Sequence, residues 1–138
     1  MGRIIAIDYG TKRTGIAVTD PEKIIATGLT TVRTHELFSF LEKYLIENNV
    51  ECFVVGDPKQ MNNSASESAK AINDFVIKLK KKFNEIPVKR IDERFTSKMA
   101  MQAIRDSGLK KSDRQKKELV DMVSATIMLQ FYMETANH

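Results

Sequence analysis

Several residue types are scarce in this sequence, and each shortage excludes a class of protein. The single cysteine, Cys52, excludes an internal disulfide bond, and two histidines, His35 and His138, are too few for a histidine-based zinc site. No apolar run approaches the ~18 residues that a membrane-spanning helix needs. Because the chain opens directly on a strand-like segment and shows no signal peptide, we expect a cytoplasmic protein without a membrane partner.

The residues that are present are typical of one ordinary globular domain. Of the 138 residues, 42% are apolar and 29% are charged. Basic residues outnumber acidic ones by 22 to 18, and the resulting net charge of +4 permits a polyanionic partner without requiring one. Since the sequence contains no repeats, low-complexity tracts or linkers, we expect residues 1–138 to form a single domain.

The most informative stretch is a β-hairpin predicted over Ile4–Val18. Its two β-prone runs flank Tyr9–Gly15, in which two glycines favour a tight connection. The first run is apolar at every position, which is typical of a central strand buried on both faces, and it ends in Asp8. A carboxylate at that place needs a cationic partner or a metal ion, although an ordinary turn residue is the simpler interpretation.

The remaining pattern predicts the element order β-β-β-α-β-α-β-α-α. A third strand is expected over Lys23–Arg33, and buried strands over Glu51–Gly56 and Pro87–Ile91. The helices are expected to follow four capping residues, which are Thr34, Ser64, Thr96 and Ser112. This order implies an α/β fold with a mixed five-stranded sheet, three antiparallel strands followed by two parallel ones, and helices on both faces.

Acidic residues follow three of the predicted strands. Asp8, Asp57 and the Asp92–Glu93 pair stand at carboxyl ends, where sheets of this kind place their sites. A fourth acid, Asp121, lies in the last helix, predicted over Lys116–Glu134. That helix is apolar almost all round, so we expect it to be buried and its carboxylate to need a partner. A salt bridge to a lysine or arginine is the alternative to a shared acidic site.

Carboxylates that converge on one site repel one another, and a bound divalent cation removes the repulsion. Oxygen ligands without cysteine or histidine favour Mg²⁺ or Mn²⁺. Two such ions about 4 Å apart activate water and stabilise the leaving oxygen of a phosphodiester. Basic residues near the acids suit a phosphate backbone, and they are Lys12, Arg13, Lys59, Arg94 and the basic residues of positions 110–117, Lys116 among them.

Four motifs together resemble the YqgF/RuvX family, nucleases assigned to pre-16S rRNA and related to the Holliday-junction resolvase RuvC, with a ribonuclease H-like fold. The matching segments, in the order of the family, are Asp8–Val18, Val54–Pro58, Asp92–Ser97 and Val120–Ala125. The sequence departs from the family at Asp57, Ser97 and Ser124, where the family usually has leucine, threonine and alanine. We expect Asp57 to shape the turn before Pro58 rather than to bind a metal.

The resemblance implies that Asp8, Glu93 and Asp121 are the catalytic, metal-binding acids. It also implies that Arg94 contacts a phosphate or holds the acids in place. The choice between Asp92 and Glu93 stays open, because adjacent residues on a strand face opposite ways.

The predicted function is metal-dependent hydrolysis of phosphodiester bonds in structured RNA, in 5′-end maturation of pre-16S rRNA. One alternative is a Holliday-junction DNA endonuclease acting on branched DNA, which requires a dimer. Another is a phosphate- or nucleotide-binding domain, since the hairpin also resembles the phosphate loop of actin-like ATPases. A third is a non-catalytic RNA-binding protein of the same fold. Because no dimer face is identifiable in the sequence, we expect a monomer.

Overall fold

The computed structural model describes residues 2–57, 67–92, 102 and 113–136. The strands in these ranges are β1 (Arg3–Asp8), β2 (Arg13–Thr19), β3 (Ala26–Arg33), β4 (Val50–Asp57) and β5 (Val88–Asp92). The helices are α1 (Leu37–Glu47), preceded by a 3₁₀ turn over Thr34–Glu36, α2 (Glu67–Lys82) and α3 (Asp113–Ala136). None of the described helices combines the length and the apolar character that crossing a membrane requires.

The five strands form one mixed sheet in the order β3-β2-β1-β4-β5. Strands β1, β2 and β3 pair antiparallel, whereas β4 pairs parallel with β1 and β5 parallel with β4. This is the sheet predicted from the sequence. Helices precede both parallel additions to the sheet, with α1 before β4 and α2 between β4 and β5, as crossover connections require.

Helices cover both faces of the sheet, and the side chains of β1 alternate between them. Ile5 and Ile7 pack with α1 and α2, on what we call the α1/α2 face. Ile4 and Ala6 pack against α3, on the α3 face. Ile5, Ala6 and Ile7 are fully buried, as the unbroken apolar run predicted for a central strand.

Two details of the sequence prediction were wrong at β3. The strand begins at Ala26 rather than Lys23, because the Asp20 carboxylate accepts hydrogen bonds from the backbone N–H groups of Ile24 and Ile25 and holds them in a turn. Thr34 does not cap the following helix, since its hydroxyl donates to the carbonyl of Gly10 instead. The predicted caps Ser64, Thr96 and Ser112 lie outside the described residues.

Helix α3 is buried on one side rather than all round. Ala125, Met128 and Leu129 are at most 1% exposed where they meet the sheet. On another side Phe131 is 39% exposed, so the apolar character of the sequence overestimated the burial of this helix. The sheet therefore covers one face of the helix and leaves the other partly exposed.

Candidate active site

Acidic residues end three neighbouring strands at one edge of the sheet, as the sequence predicted. Asp8 ends β1, Asp57 ends β4 and Asp92 ends β5. The register places Asp57 directly opposite Asp92. Asp8 follows Ile7, which pairs with Val55 of β4, so β1 ends at the same edge. The edge therefore concentrates negative charge outside the carboxyl ends of the parallel strands.

These three carboxylates do not share one face of the sheet. Alternate residues of a strand share a face, so Asp8 lies on the same face as Ala6, which packs on the α3 face. Arg90, two residues before Asp92 on β5, donates a hydrogen bond to the side chain of Asn73 in α2. The same guanidinium lies 3.7 Å from the carboxylate of Asp57. Asp57 and Asp92 consequently lie on the α1/α2 face, away from Asp8.

A glycine brings the fourth acid to the face that carries Asp8. Gly15 is the cross-strand partner of Asp8 on β2. A Cβ built on Gly15 would lie 2.0 Å from the backbone oxygen of Asp121 and 3.0 Å from the nitrogen of Met122. Only a residue without a side chain permits this contact, so Gly15 seats helix α3 on the sheet beside Asp8.

Asp121 is held in place by an arginine of the hairpin. Nε of Arg13, the first residue of β2, donates a hydrogen bond of 3.0 Å to Oδ2 of Asp121, whose side chain is 22% exposed. Burial raises the pKa of Asp121 above its ordinary value, Arg13 opposes the rise, and the charge of Glu118 adds to it. The salt bridge that the sequence left as an alternative is present, and it lies within the acidic site rather than apart from it.

The turn between β1 and β2 is tied to the end of β3. The hydroxyl of Thr34 donates to the carbonyl of Gly10 at 2.6 Å and lies 2.9 Å from the hydroxyl of Thr14. Its backbone N–H donates to the carbonyl of Lys12 at 3.0 Å. These three bonds fix the turn that carries Lys12 and Arg13 next to Asp121.

The structure describes only part of the predicted site. Glu93, Lys59 and Arg94 lie outside the described residues, and Lys116 lies in α3 but its side chain is not described. Lys12 is exposed on the turn. Among the described residues, no three acidic, cysteine or histidine side chains are placed so that they could together hold a metal ion.

Sequence reasoning missed two residues that belong to this region. Arg33 stands opposite Arg13 in the pairing of β2 with β3, and Thr34 locks the turn. The pairing of β2 with β3 could have identified Arg33, because the residue opposite Arg13 can be read from the sequence once the turn before β3 is placed correctly. The role of Thr34 had no comparable signal, since a threonine before a helical pattern more often caps the helix.

The sheet order, the two helical layers and the acidic edge define a ribonuclease H-like α/β domain. The solved structure of Thermus thermophilus RuvC in complex with a Holliday junction substrate has this fold: its TM-score is 0.58 at 19% identity, with 98% of this chain and 96% of that chain covered. A second structure of Thermus thermophilus RuvC gives a TM-score of 0.54 at 18% identity.

The family can be stated more closely than the fold. The family model described as "RuvX: Holliday junction resolvase" matches residues 2–135, so the chain belongs to the RuvX family. A protein of Phocaeicola vulgatus is 58% identical over 138 residues, with 100% of this chain and 99% of the relative covered. A protein of Bacteroides thetaiotaomicron is 58% identical over 135 residues, with 98% of each chain covered. Both carry the name "Putative pre-16S rRNA nuclease", and these findings support a nuclease function.

Proposed function

We propose that this protein is a metal-dependent nuclease that hydrolyses a phosphodiester bond at the 5′ end of pre-16S rRNA. The observation that carries the proposal is the placement of Asp8 and Asp121 on one face, next to each other across Gly15. The family match and the names of the relatives supply the substrate class.

We assign Asp8, Glu93 and Asp121 as the acids that hold the metal ions. Asp92, the last residue of β5, is the other candidate, but it lies on the face of the sheet opposite Asp121, on the side of Arg90. That placement favours the next residue, Glu93. An all-oxygen donor set of this kind fits Mg²⁺ or Mn²⁺. When bound as a pair, these ions activate a water molecule and stabilise the leaving oxygen of a phosphodiester.

The residues around the acids have supporting roles. Arg13 positions the carboxylate of Asp121 through one hydrogen bond from Nε and opposes the rise in pKa that burial causes in that half-buried group. Lys12 on the exposed turn contacts a phosphate of the substrate backbone. We also propose that Arg94, Lys59 and Lys116 contact the phosphate backbone of the substrate, and this assignment rests on the sequence alone.

The test is a cleavage assay on a short RNA that spans the 5′ junction of the rRNA precursor. Reactions contain Mg²⁺, Mn²⁺ or a chelator, and the Asp8→Asn variant serves as the catalytic control. We expect cleavage that requires the metal and that Asp8→Asn abolishes. RNA binding without cleavage under every metal would overturn the nuclease assignment in favour of a non-catalytic RNA-binding protein.

A Holliday-junction endonuclease is the second candidate, because the matching family model is described as a Holliday junction resolvase. A four-way DNA junction is therefore included beside the RNA in the same assay. Symmetric cleavage of the junction, by a species that is dimeric in sedimentation, would replace RNA with branched DNA as the substrate. A monomer that cleaves only the RNA would support the first assignment.

A further inference from the structure

A groove with a volume of about 590 Å³ lies beside the acidic site, between the β1–β2 turn and the end of β3. Lys12 and Arg13 line it from the turn, Arg33 from the end of β3, and Glu118 from helix α3. Because Arg13 also reaches Asp121, the groove opens directly onto the candidate active site.

Two arginines lie side by side in the lining of this groove. Arg13 and Arg33 are cross-strand partners in β2 and β3, and partners of this kind have Cβ atoms about 4.5–5.5 Å apart on the same face of the sheet. Their neighbour Thr31 confirms the face, since its hydroxyl donates to the backbone carbonyl of Glu118 in α3. Like charges placed directly opposite each other destabilise a strand pair, so this arrangement needs an anion to offset it.

Within the described ranges, no carboxylate forms an ion pair with Arg33. Glu36 and Glu118 line the same groove, yet neither forms an ion pair with Arg33 or Lys12 in the described part of the chain. Arg13 uses Nε for Asp121, and a guanidinium carries two further amino groups that can donate. Cationic donors are therefore available along the groove on the side facing solvent.

The two sides of the groove are held at a fixed separation. Thr34, next to Arg33, bonds to the turn through its hydroxyl and its backbone N–H. A binding site held by such bonds loses little conformational entropy when a ligand is bound. The backbone that carries Lys12 and Arg33 is therefore held in one geometry.

We propose that Arg33, together with the terminal amino groups of Arg13, binds one backbone phosphate of the nucleic-acid substrate. The strand then lies along the groove on the β2–β3 side of Asp121. Arginine suits this role because its planar guanidinium binds phosphate in a bidentate manner. The inference rests on the proposed function for the identity of the substrate, and it adds Arg33 as a contact that positions it.

The experiment compares Arg33→Gln with Lys43→Gln in the full-length protein. Lys43 is exposed on α1, on the other face of the sheet, so its substitution removes the same charge away from the groove. The probe is a labelled RNA duplex with a single-stranded 5′ extension, and binding is measured in chelator by fluorescence anisotropy between about 50 and 200 mM salt. The melting temperature of each variant is measured without RNA.

We expect Arg33→Gln to bind the RNA about 5- to 10-fold more weakly than Lys43→Gln at equal salt. The slope of log affinity against log salt concentration is expected to fall by about 1, which corresponds to one lost phosphate contact. Its melting temperature is expected to rise by about 1–2 °C, because the repulsion with Arg13 is relieved. Weaker binding by a protein that is not destabilised identifies a functional rather than a structural charge.

Equal affinity and equal salt slope for the two variants would overturn the inference, even where the wild type cleaves RNA and the proposed function stands. A lower melting temperature of Arg33→Gln, in proportion to its loss of binding, would also overturn it. Stabilisation by inorganic phosphate through Arg33, with RNA binding unchanged, would indicate a free-phosphate site instead. Arg33-dependent RNA binding without cleavage under any metal would uphold the contact and reject the nuclease.

Discussion

The backbone of Asp121 lies directly against Gly15, so that a Cβ on Gly15 would come within 2.0 Å of the Asp121 carbonyl oxygen. Gly15 is also the strand partner of Asp8. One residue without a side chain thus sets the distance between helix α3 and the sheet at the strand position paired with Asp8. The geometry of the candidate site depends on this contact.

Substitution of Gly15 by alanine is expected to displace α3 from the sheet. Because the obstructing atoms belong to the backbone, we expect the free energy of unfolding to fall by about 1–3 kcal/mol. Cleavage is expected to fall about 100-fold, since a displacement of about 1 Å at a catalytic group has that effect. Chemical denaturation and single-turnover cleavage measure the two quantities.

The matched control for that variant is Gly28→Ala on β3. A Cβ there would meet side chains of the same helix, Met122 Cγ at 2.8 Å and Thr126 Oγ1 at 3.0 Å, and side chains adjust at lower cost than the backbone that Gly15 contacts. We therefore expect a smaller loss of stability and nearly unchanged cleavage. Equal losses in the two variants would show that the site does not depend on the Gly15 contact.

Removal of the Arg13 side chain is expected to shift the pH dependence of cleavage. Burial raises the pKa of Asp121 and Arg13 opposes that rise, so Arg13→Gln should raise the pKa further and move the acidic limb to higher pH. At neutral pH we expect kcat/KM to fall about 10- to 100-fold, as for the loss of a charged hydrogen bond. The check is a pH profile of kcat/KM. Lys12→Gln, which alters the same turn, should weaken binding without moving the acidic limb.

The raised pKa of Asp121 also predicts how stability depends on pH in chelator. A carboxyl whose pKa is higher in the folded than in the unfolded protein opposes folding when it is ionised, and this effect disappears as the pH falls through the folded pKa. Asp121→Asn should therefore raise the melting temperature at neutral pH. The difference in melting temperature between Asp121→Asn and the wild type should vanish in mildly acidic buffer.

The pKa of Asp20 is shifted in the opposite direction to that of Asp121, so the two residues can be compared. Hydrogen bonds from the backbone N–H groups of Ile25 and Ile24 lower the pKa of its carboxyl, so its contribution to stability is present above the unfolded pKa and is lost as the pH falls through the folded one. Asp20→Asn should lower the melting temperature at neutral pH. Shifts of the same sign in the two variants would contradict the assigned causes.

The hydroxyl of Thr34 is expected to be important for both stability and substrate binding. Thr34→Val keeps the shape of the side chain but removes its bonds to Gly10 and Thr14, so the free energy of unfolding should fall by about 1–2 kcal/mol. Thr27→Val, at an exposed position of β3, should change it by less than about 0.5 kcal/mol. Thermal or chemical unfolding of the two variants measures the difference.

The sheet could be predicted because the sequence patterns that indicate it lie within short segments. The apolar run that ends in Asp8 and the alternation of strands with helical patterns determine which strands are central and which connections cross over. The sequence also placed Asp8, Asp57 and Asp92 at one edge. It could not assign them to faces, since that depends on which helices pack against each side of the sheet, and these contacts join segments distant in the sequence. The bounds of β5 also differ by one residue, since the strand runs over Val88–Asp92 rather than the predicted Pro87–Ile91.

The contacts between distant segments could not be predicted in the same way. Arg13 and Asp121 are separated by 108 residues, and their hydrogen bond exists because Gly15 lets α3 approach the sheet. Nothing in the local sequence pattern indicates which glycine contacts a helix that is distant in the sequence. The single-domain organisation and the monomeric state stay predictions.

The central claim is that the metal site lies on the α3 face and not merely at the acidic edge of the sheet. Asp8 ends β1 and Asp92 ends β5, on either side of β4, and the two lie on opposite faces of the sheet, which makes them a matched pair for one measurement. That measurement is the single-turnover rate of RNA cleavage in Mn²⁺ by Asp8→Asn and by Asp92→Asn. We predict a loss of at least about 100-fold for Asp8→Asn and less than about fivefold for Asp92→Asn. Full activity of Asp8→Asn, or an equal loss in both variants, would contradict the account.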